Sequence, residues 1–167
     1  MSSIYEYELN LITERQKYKR KSHLSERMRS IAPEDKSALV DIMLSGFLDP
    51  QFHDRNNRIA AARDIEAYFT GKKHSPLLNC SCGYWKERIL IGVCLISYWK
   101  ERDCPLIDCI VVHNNYKGRH ISSIVFQASL DRLILAGYTK VRAVISEENI
   151  LPKNLARRLG FTKLGKL

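Results

Sequence analysis

Apolar and polar positions alternate near the start of the chain, with Tyr5, Tyr7, Leu9 and Leu11 set against Glu6, Glu8 and Asn10. A period of two predicts a strand with one buried face, because successive side chains point to opposite sides of a sheet. Residues 28–31 predict a second, short strand. Pro33-Glu34-Asp35 then opens a helix. Proline suits the first turn, where a missing N–H costs nothing, and the acids sit at the positive end of the helix dipole. Leu39, Ile42, Met43 and Phe47 give that helix an apolar stripe. Residues 54–69 predict another helix, with Ile59, Ile65 and Phe69 turned inward and Gly71 as its C-cap. Pro76 breaks the chain.

Strands follow. Residues 78–85 and 89–99 predict a hairpin that turns at Lys86-Glu87-Arg88. Residues 106–112 form a nearly continuous apolar run, as expected of a strand covered on both faces. A polar loop, His113 onward to Gly118, leads into a helix over residues 119–136. Its apolar rows are Ile121, Ile124, Val125 and Ala128, and Phe126, Leu130, Leu133 and Ile134, with Gly137 at its end. Residues 141–145 predict a strand. Pro152, Leu155 and Leu159 mark a short helix that stops at Gly160, and Phe161 begins a last strand. A strand–helix–strand unit implies a parallel pair with a right-handed crossover. The fold class is therefore α/β (α+β), a mixed sheet with helices on both faces. There is no internal repeat and no low-complexity tract.

A length of 167 residues suits one domain, and 45% apolar residues supply a core. We divide the chain into a basic N-terminal extension, residues 1–27, and a single domain, residues 28–167. The net charge of +9 favours acidic partners such as phosphorylated cofactors, nucleic acid or anionic surfaces, without choosing among them. The cluster Lys17, Lys19, Arg20 and Lys21 around Tyr18 reads either as a polyanion contact or as a solvated arm. No stretch reaches the roughly 20 apolar residues of a membrane span, and the first ten residues lack the pattern of a secretory signal. Cys80, Cys82, Cys94, Cys104 and Cys109 are odd in number and suggest free thiols in a reducing cytoplasm. Cys80 and Cys82 lack the further ligands that zinc needs, so no metal is expected.

The most informative segment joins the buried strand ending at Ile110, Val111 and Val112 to the helix that begins near Arg119. The first N–H groups of a helix have no internal partner and carry the positive end of its dipole. A diphosphate fits such a turn, and Lys117 and Arg119 add charge beside it. An ordinary strand-to-helix loop remains the alternative.

This segment, Val112-His113-Asn114-Asn115-Tyr116-Lys117-Gly118-Arg119-His120-Ile121-Ser122-Ser123, resembles the acetyl-CoA loop of the GNAT superfamily of N-acetyltransferases. That loop usually reads Arg or Gln, two residues, Gly, one residue, Gly or Ala. Ser146-Glu147-Glu148-Asn149, followed by Gly160-Phe161, resembles a second family segment, and Met28 through Asp35 resembles the opening strand and helix. The resemblance covers roughly residues 28–167. It implies a mostly antiparallel sheet with a parallel pair splayed around a cofactor cleft. It implies that the main chain of Ile110, Val111 and Val112 holds the pantetheine arm of acetyl-CoA. The N–H groups of Lys117, Gly118, Arg119, His120, Ile121 and Ser122 would hold the pyrophosphate, with help from the Ser123 hydroxyl. Asn149 would contact the pantetheine side. The amine acceptor, a small molecule or a peptide, would enter from the opposite face, lined by residues 47–70 and the hairpin.

Several residues depart from the family pattern. Lys117 stands for Arg or Gln, His120 for a glycine, Ser122 for Gly or Ala, and Ala156 for the Tyr that protonates the leaving thiolate in many members. A side chain at His120 crowds a phosphate, points away, or pairs with it when protonated; early in a helix, its backbone is not expected to be strained. Cofactor binding is then weakened rather than abolished. The chain ends seven residues after Gly160, where members usually continue into another strand. A short sheet, the alternating segment at residues 5–11, or a second subunit of a homodimer would each answer that gap.

The family reaction is direct attack of an amine on the thioester, assisted by a carboxylate. Asp108 is the first candidate base, and alternation puts it on the face of Ile110 and Val112; a strand-start ion pair with Lys100 or Arg102 is its other reading. Glu147 and Glu148 come next. Cys109 reads as core. Trp85, Tyr98 and Trp99 either line the acceptor pocket or pack the hairpin. The function expected is acetyl transfer from acetyl-CoA to a primary amine. The alternatives are an impaired acyl-CoA-binding or interaction module of the same fold, and a nucleic-acid-associated protein using the basic arm.

Overall fold

The computed structural model describes residues 2–17, 27–47 and 54–167. The alternating N-terminal segment is strand β1 (Ile4–Asn10), and Asn10 accepts amide hydrogen bonds from Ile12 and Thr13 to start α1 (Leu11–Lys17). Strand β2 (Met28–Ser30) precedes a 3-10 turn at Pro33–Asp35 and helix α2 (Lys36–Phe47). The Asp35 carboxylate takes the Ala32 N–H and both terminal nitrogens of Arg29, which fixes the strand-to-helix corner. Helix α3 (Arg55–Phe69) starts on an Asp54 cap and is followed by Gly71 at φ +67. Strand β3 (Ser75–Pro76) leads to the hairpin of β4 (Cys82–Lys86) and β5 (Ile89–Trp99). Then come β6 (Cys104–Val112), α4 (Ile121–Leu135), β7 (Lys140–Ser146), α5 (Ile150–Arg158) and β8 (Thr162–Lys166).

Among the described residues the strands make one sheet in the order β2-β4-β5-β6-β7-β1-β8, with β3 alongside β5. Their pairings are antiparallel except that of β6 with β7. Strand β1 lies inside the sheet, antiparallel to both β7 and β8. The N-terminal strand thus joins β7 to β8 within the sheet. Its outward face carries Glu6, which holds Arg102 at 2.6 Å and Arg142 at 2.7 Å, while Arg142 also meets Glu8 at 3.0 Å.

A core lies on each face. Val125, Phe126, Leu130 and Leu133 of α4 pack on Tyr7, Leu9, Ile91, Ile96 and Val141. Leu39, Ile42, Leu44 and Ile65 pack on Leu90, Val93, Leu95 and Val111. Helix α4 lies so close to β5 that a Cβ on Gly92 would sit 2.4 Å from Ile121 Cγ2. Three apolar expectations need correction. Ile59 is 47% and Ile124 41% exposed, because each helix buries a narrower stripe than its apolar content allows. Residues 78–80 form a 3-10 turn rather than strand, where the Ser81 hydroxyl accepts the Ile96 N–H in place of a backbone carbonyl. Among the described residues no helix is long and apolar enough to cross a membrane, and no cluster of three or more His, Cys, Asp or Glu could hold a metal ion.

Candidate active site

The parallel pairing of β6 and β7 is confined to Leu106 with Arg142 and Ile107 with Ala143. Beyond Ile107 the strands part. Strand β6 continues to Val112 paired only with β5, so Ile110, Val111 and Val112 present main-chain groups to the gap on the β7 side. An extended ligand can pair there as a missing strand would. Asn149 stands across the gap at the start of α5, exposed, with no side-chain capping bond.

The gap leads to the start of α4. A 3-10 turn at Asn114–Tyr116 is braced by Ser45, whose hydroxyl accepts the Asn114 N–H at 3.0 Å. The N–H groups of Gly118, Arg119, His120, Ile121, Ser122 and Ser123 have no hydrogen-bond partner among the described residues. Gly118 has φ +76 and nothing within 4 Å of a built Cβ, so a ligand can approach its backbone closely. Free amides at a helix start, beside an open glycine, fit a diphosphate. Arg119 stacks over Tyr116 and forms no ion pair among the described residues, which leaves its charge for such a ligand. Lys117 does not join it: its N–H donates to Asn114 and its ammonium to the Gly46 carbonyl at the end of α2. A cation there is held by the negative end of the α2 dipole.

His120 adopts φ +60 and ψ 17, the left-handed conformation, contrary to the unstrained backbone expected of it. The helix proper begins one residue later, so His120 serves as the cap that reverses the chain. Glycine would take this conformation freely, whereas an L side chain costs about 1–2 kcal/mol, somewhat less for His. The imidazole itself is exposed. His120→Gly should therefore raise stability by about 0.5–1 kcal/mol, a Tm increase of roughly 1–4 °C by thermal unfolding. Because the amides already point outward, calorimetric titration should find the CoA dissociation constant changed by less than roughly tenfold.

On the other face of the sheet, α2, α3 and the strands enclose a cavity of about 530 Å³. Its walls include Met43, Leu44, Phe47, Ala60, Ala61 and Ile65, and its polar groups include Asp64, Lys73, His74 and Asp108. Asp108 reaches this cavity through a β-bulge. Leu95 pairs with Cys109 but Ile96 pairs with Ile107, so Asp108 is the extra residue. The bulge puts Asp108 beside Cys109 in the cavity, whereas Ile107, Ile110 and Val112 pack on the α4 side. Simple alternation had placed Asp108 with Ile110 and Val112; the inserted residue reverses that face. Asp108 is open to the cavity yet ringed by protein, and this loss of water pushes its carboxyl up to about 6. The Ser97 hydroxyl, His74 and Lys73 draw it partly back. Ser97 Oγ is buried with Asp108 as its neighbour, and His74 Nδ1 is buried and closes no hydrogen bond.

Asp108 and Glu147 are not brought together. Glu147 sits past the end of β7, exposed, and accepts a hydrogen bond from Tyr5 Oη at 3.4 Å. Ala156, within α5, is buried in the core and offers no proton donor. The aromatic candidates pack instead of lining the cavity. Arg29 covers Trp85 at 4.3 Å, Trp99 packs on His74 at 5.6 Å, and Tyr98 meets Tyr138. Residues 48–53, expected at the acceptor face, and the basic cluster from Tyr18 to Lys21 lie outside the described residues. His74, Lys73, Asp64 and Ser97 escaped sequence reasoning. Only Ser97 carried a signal, a lone hydroxyl within the apolar run of β5.

A mostly antiparallel sheet that opens between its parallel neighbours, with unpaired helix-start amides beyond the opening and helices on both faces, defines the class of fold. The chain belongs to the acetyltransferase (GNAT) family, whose sequence model matches residues 39–161. The activity of that family is acetyl-CoA-dependent N-acetylation. Among curated proteins no sequence matches the chain. Solved structures share its fold. An aminoglycoside N-acetyltransferase in complex with CoA is 15% identical, over 89% of this chain and 94% of that one, with a TM-score of 0.61. The ribosomal-protein-S18-alanine N-acetyltransferase from Escherichia coli is 12% identical, over 83% and 78%, with a TM-score of 0.62. A GCN5-related N-acetyltransferase from Sphaerobacter thermophilus is 14% identical with a TM-score of 0.67, and this chain spans 49% of its length.

Proposed function

We propose that the protein transfers the acetyl group of acetyl-CoA to a primary amine by direct attack. The observation that carries this reading is the position of Asp108. The bulge sets its carboxylate in the cavity at the point where β6 and β7 part. A ligand paired with Ile110, Val111 and Val112, with its diphosphate on the amides of residues 118–123, would run toward that point along the sheet.

Bound there, acetyl-CoA supplies the thioester carbonyl that the amine attacks. Asp108, charged above about pH 6, accepts a proton from the incoming ammonium, directly or through water. The strand N–H groups at the gap polarise the carbonyl. Arg119 and the helix-start amides hold the diphosphate, and Asn149 orients the arm between them. The leaving thiolate takes its proton from solvent, since Ala156 has none to give. Five cysteines, free and mostly buried, suit a reducing compartment, the cytoplasm.

Incubation with acetyl-CoA and a panel of primary amines, followed by release of free CoA thiol, tests the reading. Amine-dependent thiol release is expected. Tight CoA binding by calorimetry with no turnover on any amine would instead support an acyl-CoA-binding module.

A further inference from the structure

Charges of both signs line the acceptor cavity: the carboxylates of Asp64 and Asp108 and the ammonium of Lys73. Lys73 and Asp108 both line it, and Lys73 stabilises the Asp108 carboxylate through space. Yet Lys73 forms no ion pair among the described residues. Asp108 is fixed by the bulge in β6, and Lys73 enters from the loop that follows α3. His74, whose buried Nδ1 closes no hydrogen bond, lines the cavity with them. Asn57, Asp64 and Tyr68 add polar groups, and the remaining wall is apolar, from the buried Leu44 and Ile65 to Met43 and Phe47, which is 62% exposed. A separated anion and cation beside an apolar wall match a zwitterionic head on a hydrocarbon body.

Building on the acetyltransferase reading, we propose that the acceptor is a free α-amino acid with an apolar side chain. Its ammonium lies on Asp108, its carboxylate on Lys73, and its side chain against Met43, Leu44, Phe47 and Ile65. The ammonium gives one proton to Asp108, which passes it to solvent. The nitrogen then bonds to the acyl carbon, the carbon–sulfur bond breaks, and the second proton leaves nitrogen for the thiolate through solvent. The products are an N-acetylamino acid, free CoA and one proton. A plain amine of the same body would leave Lys73 unmatched in the cavity, and a charge-assisted contact would be lost.

The test compares leucine, leucinamide and 3-methylbutylamine, which share one side chain and differ at the carboxylate. Turnover is followed by thiol release, and binding to the CoA-loaded full-length protein by calorimetry. Leucine should exceed both analogues by about tenfold or more in kcat/KM and in affinity. Lys73→Met should lower kcat/KM and affinity for leucine by about tenfold more than for 3-methylbutylamine, so that the preference disappears. Equal use of the amine or the amide, or a leucine preference that survives Lys73→Met, would overturn the proposal and leave the acetyltransferase reading standing. No turnover with leucine still bound preferentially would sink the transferase reading but uphold the zwitterion site. No turnover and no preferential binding would remove both.

Discussion

Asp108→Asn should lower kcat/KM for the amine acceptor by about 10²- to 10⁴-fold, the range carried by a positioned general base. The wild-type rate should fall as pH drops through about 6, where the Asp108 carboxylate takes up its proton, and the variant should lose that limb. Stability separates this loss from damage to the fold. The carboxyl is raised from 3.8 to about 6 in the folded protein, so the fold binds this proton more tightly than the open chain does. Its contribution therefore favours the fold below the ordinary value and fades as pH rises toward 6. Above that, the charged group opposes folding. At pH 7.5 asparagine should leave Tm unchanged or slightly higher while activity collapses. A variant whose Tm fell along with its rate would point to a structural part for Asp108.

Removal of residues 2–10 should abolish cooperative unfolding. These residues hold β1, which pairs with β7 on one side and β8 on the other. Without it, two strand edges lose their hydrogen bonds, and Tyr7 and Leu9, which are 8% and 2% exposed, leave the core. The point variant Glu6→Ala tests the same strand more gently. Glu6 is 9% exposed at its side chain and faces Arg142, 16% exposed, and Arg102, 42% exposed. Removing the shared carboxylate leaves the largely buried Arg142 guanidinium with Glu8 as its one remaining ion-pair partner among the described residues. The expected loss is about 2–4 kcal/mol, under the fully buried limit because Arg102 can turn to water. Thermal melts should show a drop of roughly 4–16 °C. A truncated chain that melts as cooperatively as the whole would show β1 to be an appendage.

Elements set by local chemistry were legible in the chain. Alternation at Tyr5, Tyr7 and Leu9 marked a strand, Pro33 and Asp35 marked a helix start, and the apolar run before Val112 marked a strand buried on both faces. The unpaired amides before α4 were legible too, since free amides follow from any strand that runs into a helix. What escaped were features that depend on partners far away in sequence. Nothing near Lys117 says that its ammonium will reach Gly46, across 71 positions. Nothing near His74 says that it will border a cavity with Asp108.

The chain by itself determined which segments are strands or helices and where the unpaired helix-start amides lie, because those depend on neighbours within a few residues. Only the tertiary structure decided that β1 sits between β7 and β8, that His120 turns left-handed, and that Asp108 faces the cavity beneath α2 and α3. Each of these is a matter of register: which strand lies beside which, and where one extra residue is absorbed. A single unpaired residue reverses every side chain beyond it, and no local pattern records where that residue falls.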